Sequence, residues 1–212
     1  MARPLTLGID VGGTKVAGIL LDPDGRVAAR VRRSAVVGDR RDPGLRVTRA
    51  VALALLARAA RDGHPVDGIG AGFPEYVTPG GRLASHEVLA WRRPPEAVLA
   101  DLGPLTVGSD VRCAALAEVR LGAARGHGSA LYLTLGTGIA SAFAIEGRVW
   151  AGERGEAIAL GELPVASHPA ERLEPFASGG GVRRRYEAGA GRPGRSEEHT
   201  SELQSRGLIS YA

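Results

Sequence analysis

A short stretch near the start of the chain, LTLGIDVGGTKVAGILLD (Leu5–Asp22), constrains its fold most strongly. Two apolar runs, Leu5–Ile9 and Val16–Leu21, flank a turn with two glycines, and this pattern predicts a β-hairpin. The turn also carries a carboxylate, a hydroxyl and an ammonium group. Glycines let the backbone approach an anion closely, so that successive N–H groups can bind it. The candidate phosphate-binding residues are Asp10, Gly12, Gly13, Thr14 and Lys15.

Two other interpretations of this turn exist. A Walker loop has the pattern Gly-x4-Gly-Lys-Ser/Thr, and Gly8 and Gly13 have the right spacing. However, Thr14-Lys15 has the reverse order, and the following segment resembles a strand rather than a helix. The other alternative is a tight surface hairpin without a ligand. In the phosphate-loop interpretation, Thr14 and Lys15 donate to phosphate, and Asp10 holds a magnesium ion through its waters.

A second hairpin of the same kind is predicted far downstream. The apolar run Ser129–Leu135 precedes Gly136-Thr137-Gly138, and another apolar strand follows over Ile139–Ile145. Glu146-Gly147 then forms a turn into Arg148–Trp150. The chain therefore carries two hairpins with Gly/Thr turns that could each bind phosphate.

Five blocks occur in order along the chain, namely LGIDVGGTK, GIGAGFPEYV, SDVRCAALAE, YLTLGTG and LEPFASG. From about Leu5 to Val182 they resemble the ROK family of sugar kinases and repressors. This resemblance implies the α/β fold of the actin-like ATPases (ribonuclease H-like), in which two lobes each offer a phosphate loop to a nucleotide. It also implies ATP and Mg²⁺ as cofactors, a small-molecule sugar as partner, and a homodimer for the full-length protein.

The rest of the chain is predicted to form alternating strands and helices, and this alternation indicates an α/β domain with a mixed sheet. The predicted elements are a strand over Arg26–Val37, a helix from Pro43 to Asp62, a strand over Val66–Gly72, a short helix over Pro95–Leu102, a strand over Leu105–Gly108, and a helix from Ser109-Asp110 to Ala124. Phe73–Arg93 is predicted to be irregular. We expect a first lobe over residues 1–110 and an incomplete second lobe over 111–194.

Composition limits the function classes. The chain is 44% hydrophobic and 24% charged, with no apolar run of membrane-spanning length and no signal-peptide pattern. We therefore expect no membrane partner and a cytoplasmic location. Cys113 is the only cysteine, which excludes an intrachain disulfide and fits a reducing compartment. The net charge is +4, and the arginines from Arg30 to Arg41 are interpreted as a solvated face rather than a nucleic-acid surface, since no aromatic or helix-turn-helix context accompanies them.

Asp110 is the candidate catalytic base. It ends an apolar strand and precedes a helix, which predicts a position at the mouth of the sheet, where ligands of α/β folds bind. Phosphoryl transfer to a sugar requires a carboxylate that accepts the proton of the attacking hydroxyl. From the residues alone, Ser109-Asp110 is better explained as a helix N-cap. The family resemblance reverses this preference, because the aspartate of this motif is the family's catalytic base.

The expected sugar contacts depart from the family pattern. Ser109 replaces an asparagine, and Glu75 follows Pro74 where a glycine is usual. Glu87 stands where an asparagine usually precedes the tryptophan, here Trp91. In Ala159-Leu160-Gly161-Glu162, the family's Glu-x-Gly-His has lost a sugar-binding glutamate and carries an acid in place of histidine, whereas Glu174 matches a sugar-binding glutamate. The predicted substrate-binding residues are Pro74, Ser109, Asp110, Glu162 and Glu174.

No zinc site is predicted. Many ROK proteins carry clustered cysteines just before the position of Glu174, but Val165–Leu173 contains none. His168 is alone there and Cys113 is far away in sequence, so no set of four ligands can be assembled.

The character of the chain changes after residue 188. Gly189–Gly194 is linker-like, and RSEEHTSELQS (Arg195–Ser205) matches one reading frame of a widely used sequencing adapter. We interpret Arg195–Ala212 as a non-native tail, the alternative being a disordered polar tail. On this interpretation the second lobe lacks its remaining segments, and we expect exposed apolar sheet faces and no catalysis by this chain.

The sequence therefore predicts ATP-dependent phosphorylation of a hexose or hexose derivative, as in a glucokinase-like ROK enzyme. One alternative is a non-catalytic ROK-like sugar sensor or transcription regulator, although a first strand at Leu5 leaves no room for an N-terminal DNA-binding domain. The other is a degenerate, inactive paralogue.

Overall fold

The computed structural model describes residues 2–38, 40–86, 88–89, 93–136, 138–157 and 159–190. The chain forms two compact units. The first comprises the residues up to Cys113 together with Ala151–Glu156, and the second comprises Ala114–Trp150 and the residues from Ala157 onward. The lobe boundaries inferred from the sequence remain a proposal.

The first unit is built on a mixed five-stranded sheet. In chain order, its elements are β1 (Leu5–Val11), β2 (Lys15–Leu21), β3 (Val27–Ser34), β4 (Val36–Val37), β5 (Arg40–Arg41), α1 (Arg46–Arg61), β6 (Val66–Phe73), α2 (Glu96–Leu99), β7 (Leu105–Ser109) and the start of α3 (Asp110–Leu121). The strand order in the sheet is β3-β2-β1-β6-β7. The β1–β2 and β2–β3 pairs are antiparallel, whereas β1–β6 and β6–β7 are parallel.

The parallel strands end at one edge of this sheet. Asp10 of β1 pairs in register with Gly72 of β6, which in turn pairs with Gly108 of β7. Asp110 follows two residues later, at the start of α3. The register therefore places the two predicted carboxylates, Asp10 and Asp110, at the same edge, as expected for a ligand site in an α/β fold.

Helix α1 packs closely on the first hairpin. Its buried face includes Val51 and Leu55, both fully buried. A β-carbon built on Gly18 of β2 would lie 2.7 Å from side-chain atoms of both residues, so a glycine is needed at this crossing. Burial of each such side chain stabilises the fold by about 1.5–3 kcal/mol.

Some element boundaries differ from the sequence-based prediction. The third strand ends at Ser34 rather than Val37, and β4 and β5 form a separate short hairpin. Helix α1 begins at Arg46 rather than Pro43, because Asp42, Gly44 and Leu45 have positive φ angles. The Asp42 carboxylate then accepts hydrogen bonds from the first N–H groups of α1 and caps it. Helix α3 ends at Leu121, three residues earlier than predicted.

The described part of the second unit contains a three-stranded antiparallel sheet. Its elements are β8 (Ser129–Leu135), β9 (Ile139–Ile145), β10 (Arg148–Trp150), β11 (Pro164–Val165), β12 (His168–Arg172), α4 (Leu173–Ala177) and α5 (Gly179–Ala190). The sheet has the order β10-β9-β8. One face of the edge strand β8 exposes Leu131, Leu133 and Leu135. Nothing among the described residues covers this apolar face.

No helix of the described residues is both long enough and apolar enough to cross a membrane.

Candidate active site

The turn between β1 and β2 is tight and fixed by backbone hydrogen bonds. The N–H of Gly12 donates to the carbonyl of Lys15 at 2.9 Å, and the N–H of Ala35 donates to the carbonyl of Thr14 at 2.9 Å. The side chains of Thr14 and Lys15 are exposed. The turn thus keeps a hydroxyl and an ammonium group available to a ligand, on a backbone that is held in place.

Asp10 is the last polar residue of β1 before this turn. Although its side chain is exposed, partial desolvation by the surrounding protein raises the pKa of its carboxyl, and the charge of Lys15 opposes this effect. The carboxylate oxygens of Asp10 and the hydroxyl of Thr14 are oxygen ligands of the kind that Mg²⁺ prefers. These residues therefore fit a magnesium ion, held through its waters.

Asp110 combines a helix-start position with an unusual proton affinity. Its Oδ1 accepts a hydrogen bond of 2.6 Å from the N–H of Val111, which favours the ionised form. Burial has the larger effect, and together with the nearby charges of Asp10 and Glu75 it raises the pKa of Asp110 from 3.8 to about 6. Asp110 therefore carries both a helix-start hydrogen bond and a pKa suited to a general base near neutral pH.

Two glycines make room for the first turn of α3. A β-carbon on Gly72 would lie 3.4 Å from the Cα atom of Asp110, and one on Gly108 would lie 2.8 Å from Sγ of Cys113. Burial, followed by the charge of Asp110, raises the pKa of the Cys113 thiol. Cys113 is thus a thiol that packs over the strand ends and not an activated nucleophile.

Glu75, which the sequence showed in place of a glycine, binds its own loop. Its Oε1 accepts hydrogen bonds from the N–H groups of Val88 (2.8 Å) and Leu89 (3.0 Å), and its Oε2 accepts one from the Ser85 hydroxyl. The residue is only 6% exposed. The carboxylate therefore fixes the segment that carries Val88, whose Cγ1 would lie 3.3 Å from a β-carbon on Gly13.

In the second unit, the glycine turn between β8 and β9 is held from two sides. The N–H of Gly136 donates to the carbonyl of Gly138 at 2.9 Å, and the N–H of Gly179 donates to the carbonyl of Gly136 at 2.8 Å. The N–H of Ile139 donates to Oε2 of Glu174 at 2.8 Å. A β-carbon on Gly138 would lie 2.6 Å from that oxygen, so any larger residue there would have to displace the Glu174 carboxylate.

With this geometry established, comparison with known proteins identifies the family. The family model described as "ROK family" matches residues 6–208. The chain belongs to the ROK family. A glucokinase from Streptomyces coelicolor is 31% identical over 168 residues, which cover 75% of this chain and 49% of that protein. The chain therefore spans about half the length of the curated relatives that it matches.

Solved ROK structures have the same fold. A ROK hexokinase from Thermus thermophilus is 30% identical with a TM-score of 0.72, over 95% of this chain and 69% of that one. A Streptomyces griseus ROK glucokinase in complex with glucose and AMPPNP is 26% identical with a TM-score of 0.67, over 97% and 66% of the two chains. The predicted family and the predicted actin-like α/β fold class are confirmed.

Within this ROK chain, the predicted site residues fall into two groups. The first unit contains Asp10, Gly12, Gly13, Thr14, Lys15, Pro74, Ser109 and Asp110, and the second contains Gly136, Gly138, Glu162 and Glu174. Ser109 is buried, whereas the side chain of Glu162 is exposed. The predictions for Thr137, Glu87, Trp91 and Arg195–Ala212 lie outside the described residues.

The residues around His168 are not those of a metal site. The ring of His168 lies beside that of Phe176, with centroids 5.1 Å apart, and its Nδ1 lies 3.0 Å from the Ser167 hydroxyl. Nowhere in the described part of the chain do three potential ligands from His, Cys, Asp and Glu come together. The absence of zinc stays a prediction.

Sequence reasoning did not single out Arg41 or the structural use of Glu75. The sequence assigned Arg41 to a solvated arginine face, and it is exposed, but its guanidinium lies beside Gly13. Both contacts join residues that are far apart in the chain, so no local pattern pointed to them.

Proposed function

We propose that this chain is part of a ROK-type kinase that transfers the γ-phosphoryl group of ATP to a hydroxyl of a hexose or hexose derivative. The observation that supports it most strongly is Asp110, a carboxylate with a pKa of about 6 at the edge where the parallel strands end. At neutral pH it is mostly ionised, yet it is a stronger base than an ordinary aspartate. This is the property required of a group that accepts the proton of a sugar hydroxyl.

In the proposed reaction, the attacking hydroxyl lies within hydrogen-bond reach of Asp110. As the hydroxyl oxygen forms its bond to the γ-phosphorus, its proton moves to the Asp110 carboxylate. The bond between the γ-phosphorus and the bridging oxygen breaks, and its electron pair leaves with ADP. Asp110 then releases the proton to solvent, which its pKa near neutrality allows.

The other residues bind and orient. We assign phosphate binding to the turn at Gly12 and Gly13, where the N–H of Gly13 and the side chains of Thr14 and Lys15 are the donors, and in the second unit to the turn at Gly136 and Gly138. Asp10 would hold magnesium, which neutralises phosphate charge when bound. Pro74, Ser109, Glu162 and Glu174 are the proposed sugar-side residues. A homodimer and a cytoplasmic location belong to the same proposal for the full-length protein.

A combined binding and turnover screen tests this function. ATP with magnesium is offered together with hexoses and N-acetylhexosamines, and ADP release is followed beside calorimetric binding of each ligand. We expect one sugar to be bound and phosphorylated by the full-length protein, of which this chain is proposed to be a part, and to be bound but not phosphorylated by the Asp110→Asn variant of that full-length protein. Binding of sugar without phosphorylation by the wild type would favour a sugar sensor, and binding of neither ligand would overturn the proposal.

A further inference from the structure

Arg41 places a guanidinium against the candidate phosphate-binding turn of the first unit. It is the second residue of β5 and pairs across the short hairpin with Val36 of β4. A β-carbon built on Gly13 would lie 3.3 Å from Nη1 of Arg41 and 3.6 Å from its Cδ. The side chain thus extends along the turn rather than into open solvent, although it remains exposed to a ligand.

The backbone that carries Arg41 is anchored at both of its ends. Before the hairpin, the fully buried Ala35 donates its N–H to the carbonyl of Thr14 at 2.9 Å. After it, the N–H of Asp42 donates to the carbonyl of Ala35 at 2.6 Å. The Asp42 carboxylate is 1% exposed and accepts the N–H of Val47 at 2.7 Å. Arg41 therefore starts from a fixed position between the turn and helix α1.

Among the described residues, no carboxylate or carbonyl oxygen accepts a hydrogen bond from the Arg41 guanidinium. Other arginines of the first unit do have such partners: Arg3 pairs with Asp24, Arg49 with Asp101, and Arg58 with Asp62. Arg112 donates to the carbonyl of Val77. A guanidinium has five N–H donors in a planar fork, and at Arg41 this fork is available to a ligand.

The charges at the turn also favour an anion at this place. Asp10 and Lys15 are close enough for the charge of Lys15 to oppose the rise in the pKa of Asp10. Arg41 adds a second positive charge at the turn, and it forms no ion pair with a described carboxylate of the first unit. On the far side of Gly13, the contact is the apolar Val88, which offers an anion neither repulsion nor an alternative hydrogen bond.

We propose that Arg41 binds the terminal phosphate of the phosphoryl donor, as a second cation of the turn beside Lys15. Arginine suits this role because its fork can donate two parallel hydrogen bonds to one phosphate group. The inference rests on the proposed kinase function. It adds to that function a residue outside the five-residue turn motif, brought there by the β4–β5 hairpin.

The test compares Arg41→Gln with Arg40→Gln, a matched control from the same short strand. Each variant is titrated calorimetrically with ATP and magnesium, ADP and magnesium, and inorganic tripolyphosphate. Loss of a charged hydrogen bond should weaken ATP and tripolyphosphate binding about 10- to 100-fold in Arg41→Gln, with a smaller effect on ADP. Arg40→Gln should stay within about twofold of wild type, and Arg41→Lys should be intermediate because it keeps the charge but not the fork.

Each outcome of these titrations supports or overturns the proposal that Arg41 binds the terminal phosphate. ATP affinity of Arg41→Gln equal to that of Arg40→Gln would overturn the inference, even if the wild type phosphorylates a sugar. An equal loss for ATP and ADP would overturn the assignment to the terminal phosphate. A wild type that binds neither ATP nor tripolyphosphate would overturn the kinase function and this inference together. Thermal unfolding is measured in parallel, and if Arg41→Gln is destabilised, the comparison of Arg41→Lys with wild type decides.

Discussion

Replacement of Asp110 with asparagine should have opposite effects on activity and stability. Burial raises the pKa of Asp110 from 3.8 to about 6, so its ionised form is disfavoured in the folded protein. That difference corresponds to about 3 kcal/mol, and because the side chain is partly accessible to solvent we expect about 1–2 kcal/mol in practice. The stabilising contribution of this group is present below pH 4 and is lost as the pH rises through about 6.

An asparagine side chain cannot ionise, but it keeps an oxygen that can accept the hydrogen bond from the Val111 N–H. At pH 7.5 the variant should therefore have a free energy of unfolding about 1–2 kcal/mol above that of wild type, and at pH 4 the two should be nearly equal. Its kcat should fall about 10²- to 10⁴-fold, because the hydroxyl proton has no acceptor. Nucleotide affinity should be nearly unchanged. The wild-type kcat/KM should rise with pH through an apparent pKa near 6, because this ratio reports the ionisation of the free enzyme.

Urea unfolding at the two pH values and steady-state kinetics with the sugar found in the screen measure these effects. The helix-cap interpretation makes a different prediction: asparagine retains the cap and should leave turnover and stability close to those of wild type, whereas Asp110→Ala loses the cap and about 1 kcal/mol of stability without losing turnover. An Asp110→Asn variant that turns over like wild type would refute the catalytic role. Asp110→Ala serves as a control, because it removes the hydrogen bond to Val111 as well as the charge.

Three further results are expected. Valine at Gly13 should weaken ATP binding at least about tenfold, since even its β-carbon would lie 3.3 Å from Arg41 and Val88; unaltered affinity in calorimetry would argue against a phosphate-binding turn. Glu75→Gln removes a charge that raises the pKa of Asp110, so the acidic limb of the profile of kcat/KM against pH should move to lower pH; a limb that stays in place would contradict this coupling. Protein purified without chelators should contain no stoichiometric zinc by atomic absorption, and one zinc per chain would show that a ligand set was missed.

The parts of the fold that the sequence predicted well are those with strong local patterns. Strands β1 and β2, and likewise β8 and β9, alternate or run apolar on both sides of a glycine turn, and each pair forms the expected hairpin. The apolar stripe of α1 also follows the helical period. Its start was misplaced because Pro43 favours a first helical turn, whereas the positive φ angles of Asp42 and Leu45 delay the helix to Arg46.

The parts of the site that the sequence did not reveal depend on contacts between distant residues. Glu75 looked like a change in a sugar pocket, but it binds the N–H groups of Val88 and Leu89 and thereby shapes a loop. Glu174 matches a sugar ligand of the family, which stays a prediction, and its Oε2 also accepts the N–H of Ile139, 35 residues away along the chain. A sequence motif therefore identifies the side chain, but its hydrogen-bond partners depend on the fold.

The two strand-end glycines connect the architecture of the first unit to its proposed chemistry. Because Gly72 and Gly108 have no side chains, α3 can begin directly against the ends of β6 and β7, with Asp110 in its first position. This close approach removes water from the carboxylate, and the loss of water raises its pKa to about 6. A residue with a side chain at position 108 would have to displace Sγ of Cys113, which lies 2.8 Å from the place of its β-carbon. The same packing that costs the folded state some stability at neutral pH thus gives Asp110 the basicity that its proposed catalytic role requires, which is a trade-off between stability and activity.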